Sequence, residues 1–351
     1  MKRQLILAGL TVLLVGLGAA CRKLIIDKPV ENTPTSNFEY LWSQIHDKYS
    51  FMDYKGLNWD AVHAKYAPQI HDNMSSLAFF SVMEDMMNEL KDGHANLMSP
   101  YRTSNYFPIF LSSPVNYNDN LILRAYVLRD PKNYYRKGPL TLTVWDTLGV
   151  KVGYMRYNSF QSTVSDSDMQ FALQLFAQTN GVIIDVRSNG GGSPDNIFVI
   201  AKYFCAQKTL AYTSFLKSGP GHSDFTEGEE AWIQSTSNAY TKRVALLTNR
   251  SSYSATSFFT VAMRNLPQVK VIGDSTGGGL GAPNGGQLPN GWGYRFSVTQ
   301  TLSPEIDVNG NRYNWESGVP PHIIIDMDPV QAANGFDSIL ERGIQYIING
   351  N

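Results

Sequence analysis

Four serines stand close together between residues 251 and 257, after the apolar run 244–247 and before a helical pattern that starts at Phe258. This order predicts a strand, a tight turn and a helix. A serine in the first turn of a helix lies beside unpaired backbone N–H groups and at the positive end of the helix dipole, where an alkoxide or a tetrahedral oxyanion is stabilised. The same serines fit helix N-caps, and the segment taken alone favours that role.

A second candidate is the glycine run 190–192, which follows the β-branched run 181–187. The run fits neither of the common phosphate-binding patterns, GxGxxG and GxxxxGK[ST]. Glycine also lets a backbone N–H approach a reacting carbonyl, because no side chain stands in the way. The continuous apolar run before it predicts a strand that is covered on both faces.

Histidine supplies a base whose pKa lies near neutral pH. Of the six histidines, only His94 and His322 stand at the ends of predicted elements beside loop-forming sequence, where functional residues collect. Gly93 predicts the end of a helix, so His94 should lie on the following turn. His94 taken alone fits a structural role better than a catalytic one.

Those residues belong to a chain of 351 residues with 43% hydrophobic residues and a net charge of −1, which is enough to build two or three domains around full cores. The charges form no long runs of one sign, which argues against a nucleic-acid role. Cys205 lies among apolar residues and reads as core.

The N-terminus has a basic start, an apolar middle and small residues before Cys21, which predicts a signal peptide over residues 1–20. Gly-Ala-Ala-Cys resembles the lipobox of bacterial lipoproteins, apart from Gly18 where Leu is usual. We therefore expect Cys21 to be lipidated and the protein to be anchored in the cell envelope, periplasmic or at the outer surface. A plain signal peptide with an incidental cysteine is the alternative. Lipidation leaves Cys205 without a disulfide partner.

After a linker over residues 21–35, helical periodicity predicts a helical domain over 36–98, with a capping box at Ser36 and Glu39 and further helices after Asn58 and from Ser76. Residues 99–139 read as an irregular connector with strand-like runs such as 121–123. From residue 140 to the C-terminus the patterns alternate between strands and helices. Strands are expected at 140–145, 150–157, 181–187, 244–248, 269–273, 294–301 and 323–327, and a closing helix includes Phe336.

Several segments in order resemble the serine peptidase family that includes the C-terminal processing (tail-specific) proteases and the catalytic core of tricorn protease. They are LKDGHANL (90–97), GVIIDVRSNGGG (181–192), SSYSATSFF (251–259), VIGDSTGGG (271–279) and WESGVPP (315–321). The resemblance implies an α/β, ClpP/crotonase-like catalytic domain over 140–351, preceded by the small helical domain. It implies no metal and no organic cofactor.

Carried onto this sequence, the family nucleophile falls on Ser254. The tail-specific branch uses a lysine base at the position of Gly279, so a Ser–Lys dyad is absent here. The tricorn-like branch uses a histidine and a glutamate. These match His94, as the general base, and Glu316, as the carboxylate that orients the imidazole or stabilises its charged form. That branch has a serine where this chain has Gly93. The resemblance also implies an oxyanion hole from the N–H groups of Ala255 and of Gly191, with Gly190 as the near alternative.

The interval 98–139 is too short for the peptide-binding PDZ domain of the tail-specific branch. The expected function is hydrolysis of peptide bonds in peptides or unfolded proteins by acyl-enzyme chemistry, with the membrane met only through the lipid anchor. The main alternative is a surface lipoprotein on the same scaffold that binds a peptide or other ligand and has lost catalysis. A third reading is another acyl hydrolase such as an esterase.

Overall fold

The structure is a computed structural model that describes residues 31–351 except positions 112 and 148. The predicted signal peptide and Cys21 lie outside the described residues. In the described part, no helix has both the length and the apolar character needed to cross a membrane.

The described residues form ten α-helices, numbered in chain order. They are α1 (Pro34–Lys48), α2 (Trp59–Tyr66), α3 (Ser76–Asn88), α4 (Pro108–Leu111), α5 (Asp119–Leu121), α6 (Asp166–Phe176), α7 (Asp195–Ala201), α8 (Ala255–Arg264), α9 (Pro329–Ala333) and α10 (Ser338–Asn349). Short 3-10 turns follow α2 and α7 and precede β2, and a π-helix over Ile122–Val127 follows α5.

The strands are β1 (Asn96–Met98), β2 (Tyr134–Lys137), β3 (Leu140–Thr147), β4 (Val150–Tyr157), β5 (Gly181–Asp185), β6 (Thr209–Leu216), β7 (Glu229–Ile233), β8 (Arg243–Thr248), β9 (Val269–Gly273), β10 (Pro283–Gln287), β11 (Gly293–Ser297), β12 (Thr299–Leu302) and β13 (Ile323–Ile324).

A seven-stranded sheet in the order β13-β9-β8-β5-β4-β3-β2 forms the centre of the molecule. Strands β13, β9, β8, β5 and β4 pair in parallel, and β3 and β2 continue the sheet antiparallel. Side chains alternate along β5, so Val182 and Ile184 enter the core under α6, α7 and α8, while Ile183 enters the core under α10. The prediction that this run is covered on both faces is confirmed.

Two smaller sheets, β1-β11-β10 and β12-β6-β7, extend the fold. The first is packed against the N-terminal helices, because Trp292, Tyr294 and Phe296 share one core with α1, α2 and α3. This shared core fixes β1, and with it the turn that precedes β1, relative to the rest of the molecule. The boundaries of the helical domain, the connector and the catalytic domain stay predictions.

Several local expectations were wrong, and β13 ends at Ile324, short of the expected residue 327. Helix α1 is capped by Thr33 and starts at Pro34, which is suited to a first helical position, so Ser36 lies inside the helix. The run 121–123 is helical because Asn118 caps α5 and the following π-helix buries Ile122. The strand expected over 294–301 breaks at Val298 into β11 and β12, which belong to different sheets. Phe336 precedes α10 and is 55% exposed, because the helix starts after Asp337.

Candidate active site

Ser254 lies between β8 and α8, as the pattern predicts, in a backbone conformation that is strained for a residue with a side chain. Its φ is +57° and its ψ is −124°. Its backbone N–H donates to the Gly278 carbonyl at 3.0 Å, which holds the turn against the loop after β9. Ser254 occupies the N-cap position, yet its side chain makes no capping hydrogen bond. Its hydroxyl therefore remains available for another partner.

The hydroxyls of the neighbouring Ser252 and Ser257 have structural partners. Ser252 is fully buried and donates to the Val186 carbonyl at 2.9 Å. Ser257 is also fully buried and donates to the Thr276 hydroxyl at 2.9 Å. These bonds tie the turn to its surroundings and leave Ser254 as the serine that faces a histidine.

The His94 imidazole meets that hydroxyl across 160 residues of sequence. Its Nε2 lies 2.9 Å from Ser254 Oγ, and the side chain is 93% buried. Helix α3 ends at Asn88, earlier than expected, and Lys91 rather than Gly93 takes the left-handed conformation, with φ +47°. His94 then lies on the turn before β1, as predicted.

Asp92 anchors this turn and was not singled out in the sequence. Its Oδ1 accepts the His94 backbone N–H at 2.8 Å, and its Oδ2 accepts the hydroxyls of Tyr49 at 3.0 Å and Ser297 at 2.9 Å. Lys55 Nζ lies 3.8 Å away and compensates the buried charge. Two hydroxyl donors from distant elements hold Asp92, and with it the turn, in place. The only local signal was an Asp two residues before the histidine.

His94 Nδ1 is buried and has no hydrogen-bond partner among the described residues. The Gly281 backbone favours the charged imidazole and so opposes a lowering of its pKa. Burial lowers the pKa of His94 below 6.5, Asp92 opposes that change, and Arg295 and Lys55 add to it. The imidazole is therefore neutral at pH 7 and can accept a proton at Nε2.

Glu316 is buried next to this region but makes no hydrogen bond to the imidazole. Its Oε2 accepts the backbone N–H groups of Leu280 at 2.6 Å and Gly281 at 3.1 Å. The carboxylate thus holds the Leu280–Gly281 backbone, of which Gly281 influences the charge of His94. Burial raises the pKa of Glu316 to about 8, and the charge of Asp92 adds to the rise.

The three predicted oxyanion donors differ in whether their N–H groups already have a hydrogen-bond acceptor. The Gly191 N–H donates to Asn189 Oδ1 at 3.0 Å, so it is already engaged. The N–H groups of Gly190 and Ala255 have no acceptor within the described part of the chain. Gly191 nevertheless approaches the nucleophile turn so closely that an added Cβ would lie 2.9 Å from both Ala255 N and Ser254 Cβ. The glycine run and the serine turn therefore lie in contact, as predicted.

His322 and Cys205 have structural environments. His322 Nδ1 accepts the Val271 N–H at 3.0 Å, and burial lowers the pKa of His322 to about 4. Cys205 is fully buried in the core, as expected. Across residues 31–351 as described, no group of three or more His, Cys, Asp or Glu residues could hold a metal ion.

The comparisons with known proteins give the family. The sequence matches peptidase family S41 over residues 151–325 and the tricorn protease C1 domain over residues 31–88. A solved structure from Parabacteroides merdae, described as a candidate peptidase, is 34% identical with a TM-score of 0.83, and the match covers 92% of this chain and 98% of that one. The chain belongs to peptidase family S41.

More distant relatives agree with this assignment. A carboxyl-terminal-processing protease of Picosynechococcus is 24% identical over 184 residues, which is 52% of this chain and 41% of that protein. The chain thus spans less than half the length of the curated relatives it matches. The structure of mature CPAF complexed with lactacystin has a TM-score of 0.67 at 11% identity, covering 91% of this chain and 99% of that one, and shows a shared fold. The predicted family and the α/β fold class are confirmed.

Proposed function

We propose that this chain is a serine peptidase that cleaves peptide bonds through an acyl-enzyme on Ser254. The observation that carries the proposal is the 2.9 Å contact between Ser254 Oγ and His94 Nε2 at a strained, uncapped turn. A serine hydroxyl is a weak nucleophile at neutral pH and needs an adjacent base, which the neutral imidazole supplies. Membership of family S41 and the relative named as a carboxyl-terminal-processing protease support peptides or unfolded proteins as the substrate class.

In the proposed reaction, His94 Nε2 takes the hydroxyl proton while Ser254 Oγ bonds to the carbonyl carbon of the substrate. The resulting oxyanion is stabilised by the N–H groups of Ala255 and Gly190, which have no other acceptor among the described residues. The C–N bond then breaks, and His94 gives its proton to the leaving amine. Water attacks the acyl-enzyme with His94 again as the base, which releases the acid and restores Ser254.

In this scheme Glu316 acts indirectly, through the backbone that it holds, and makes no hydrogen bond to the imidazole. Its carboxylate fixes the Leu280–Gly281 backbone, and the Gly281 backbone favours the charged form of His94. A proton on His94 is favoured when Glu316 is ionised, because opposite charges then share a buried site. We therefore assign Glu316 the role of an orienting group that holds this backbone, and of a charge-compensating carboxylate once the pH exceeds its raised pKa of about 8.

A fluorophosphonate probe tests the nucleophile. We expect the wild-type protein to be labelled at residue 254, Ser254→Ala to lose all labelling, and His94→Gln to lose at least about 100-fold in rate, because the base is gone. Ser252→Ala is the control, since the Ser252 hydroxyl is engaged with Val186 and lies outside the reacting contact.

Absence of labelling in a folded wild-type protein would favour the alternative, a ligand-binding protein without catalysis. Labelling that depends on Ser254, together with hydrolysis of ester substrates but not of denatured protein, would favour an esterase.

We also propose that the protein is exported and lipid-anchored at Cys21 in the cell envelope. This rests on the sequence of residues 1–21 alone. Metabolic labelling with an alkyne-tagged fatty acid should mark the wild-type chain and Cys205→Ser, but not Cys21→Ser. Equal labelling of both cysteine variants would contradict the anchor.

A further inference from the structure

The residue before the nucleophile, Tyr253, places a large aromatic ring beside the catalytic pair. It is 93% buried, and its ring centroid lies 5.0 Å from that of His94. The Phe110 ring also packs edge-on against it, with centroids 5.3 Å apart. Its backbone N–H donates to the Asn189 carbonyl at 3.0 Å, which joins it to the glycine loop. Tyr253 is therefore held by its backbone, and its side chain reaches across to the histidine.

Two glycines make room for this ring. A Cβ added to Gly93 would lie 2.8 Å from the phenol oxygen and 3.0 Å from Cζ of Tyr253. A Cβ added to Gly279 would lie 2.7 Å from Cε2 and 2.8 Å from the phenol oxygen. Real Cβ atoms are almost never this close to another heavy atom, so any side chain at either position would displace the ring. The Tyr253 ring thus occupies the space that side chains at residues 93 and 279 would otherwise need.

We propose that Tyr253 is a positioning residue that holds the His94 imidazole against Ser254, with its ring filling the space left by Gly93 and Gly279. This inference rests on the proposed role of His94 as the base. A ring packed on the imidazole limits rotation about the histidine side-chain bonds, so Nε2 stays within hydrogen-bond distance of Ser254 Oγ. The ring also covers a buried environment in which His94 Nδ1 has no described partner.

The phenol itself takes no part in proton transfer. Burial raises the pKa of Tyr253 well above 10, and the charges of Asp92 and Glu316 add to the rise. The hydroxyl therefore stays protonated at neutral pH, and its contribution is volume and contact rather than basicity. The arrangement also explains why a lysine at residue 279 is incompatible with this site, because its side chain would start inside the volume of the ring.

The first test compares Tyr253→Phe with Tyr253→Ala. The phenylalanine variant keeps the ring, so its fluorophosphonate labelling rate should stay within about threefold of wild type. The alanine variant frees the imidazole, so labelling should slow by about 10- to 100-fold. Tyr240→Ala is the matched control: Tyr240 is also 93% buried, but it packs on Phe204 and its hydroxyl pairs with Thr179. The control should lose stability while the folded protein keeps its labelling rate.

The second readout does not depend on activity. The His94 ring signal, identified by its loss in His94→Gln, is followed by NMR against pH in wild type and Tyr253→Ala. Removing the ring admits water, so the pKa of His94 should rise toward 6.5. The charged groups that also act on this pKa, Asp92, Arg295 and Lys55, are the same in both proteins. An unlabelled wild type would overturn the proposed peptidase function but leave this measurement able to judge the positioning role.

A pair of variants covers the case in which Tyr253→Ala does not fold. Gly93→Ala should slow labelling in the wild-type background, because its Cβ meets the phenol oxygen. The loss should be smaller in Tyr253→Phe, where that oxygen is gone. The proposal is wrong if Gly93→Ala slows labelling equally in both backgrounds. It is also wrong if Tyr253→Phe loses as much as Tyr253→Ala, or if Tyr253→Ala leaves both the labelling rate and the His94 pKa unchanged.

Discussion

At the scale of single residues, the site depends on two buried ionisable groups whose shifted pKa values favour their uncharged forms. Burial lowers the pKa of His94 and raises that of Glu316 to about 8, so at pH 7 both are largely uncharged. Asp92, paired with Lys55, remains the charged carboxylate of the region. A site built in this way has a base ready at neutral pH and develops charge only when a proton moves during the reaction.

Glu316→Gln tests the raised pKa through stability. Below about pH 4.5 the carboxyl is protonated whether the chain is folded or unfolded; between about 4.5 and 8 only the unfolded chain loses the proton, so stability falls as pH rises. A one-unit shift corresponds to about 1.4 kcal/mol. We expect urea unfolding at pH 5, 6, 7 and 8 to show a flatter decline for Glu316→Gln than for wild type.

Glu229→Gln, at an exposed position on β7, is the control and should follow the wild-type slope. Parallel slopes for wild type and Glu316→Gln would mean that Glu316 is ionised in the folded protein. Above pH 8, where wild-type Glu316 is ionised and can compensate the imidazolium, the same variant should label more slowly with fluorophosphonate than wild type, because glutamine carries no charge.

At the scale of elements, the site is made where two strand-to-helix turns meet. The loop after β5 carries Gly191, and the turn after β8 carries Ser254. Gly191 has φ +96°, and its Cα lies against the peptide groups on both sides of Ser254. The glycine is therefore required twice, for its backbone conformation and for the close approach.

Gly191→Ala separates these two turns. Its Cβ would lie 2.7 Å from the Tyr253 carbonyl oxygen, so the serine turn must shift, and we expect fluorophosphonate labelling to fall by about 100-fold. Gly149→Ala is the matched control, with φ +80° and open space around its Cβ. Both variants incur the conformational cost of about 1–3 kcal/mol, but only Gly191→Ala should lose reactivity. Equal labelling rates would show that the approach of the two turns is not needed.

The sequence predicted elements whose signals are local. The apolar run of β5 and the serine turn before α8 could be read from periodicity. The place of His94 on a turn was also predicted, although the helix ends before the glycine that suggested it. The role of Asp92 could not, because its partners Tyr49 and Ser297 lie 43 and 205 residues away. The break at Val298 also depends on distant contacts, since its N–H donates to the Ala282 carbonyl and its own carbonyl accepts the Lys217 N–H.

At the scale of the whole molecule, a buried ion cluster joins the strand that leads to the glycine loop with the C-terminal helix. Arg187 is fully buried and donates from Nε and Nη2 to Asp185 and from Nη1 to Asp337, the N-cap of α10. The same Nη1 reaches the Asn116 carbonyl in the connector. One guanidinium therefore holds together three segments that are distant in sequence.

Arg187→Met tests how far the fold depends on this cluster. The methionine fills most of the volume but leaves Asp337 without its cation and Asp185 with only Arg156, 3.6 Å away. We therefore expect the free energy of unfolding in urea at pH 7 to fall by about 3–5 kcal/mol. Lys202→Met is the control, because the Lys202–Asp166 pair is partly exposed and should contribute about 0–1 kcal/mol. Because β5 ends at the loop that carries Gly190, a destabilised β5 should also lose fluorophosphonate reactivity at lower urea concentrations than the control does. Equal unfolding free energies for the two variants would mean that other groups compensate the charges of Asp185 and Asp337. The apolar cores on the two faces of the sheet would then hold the site in place without the cluster.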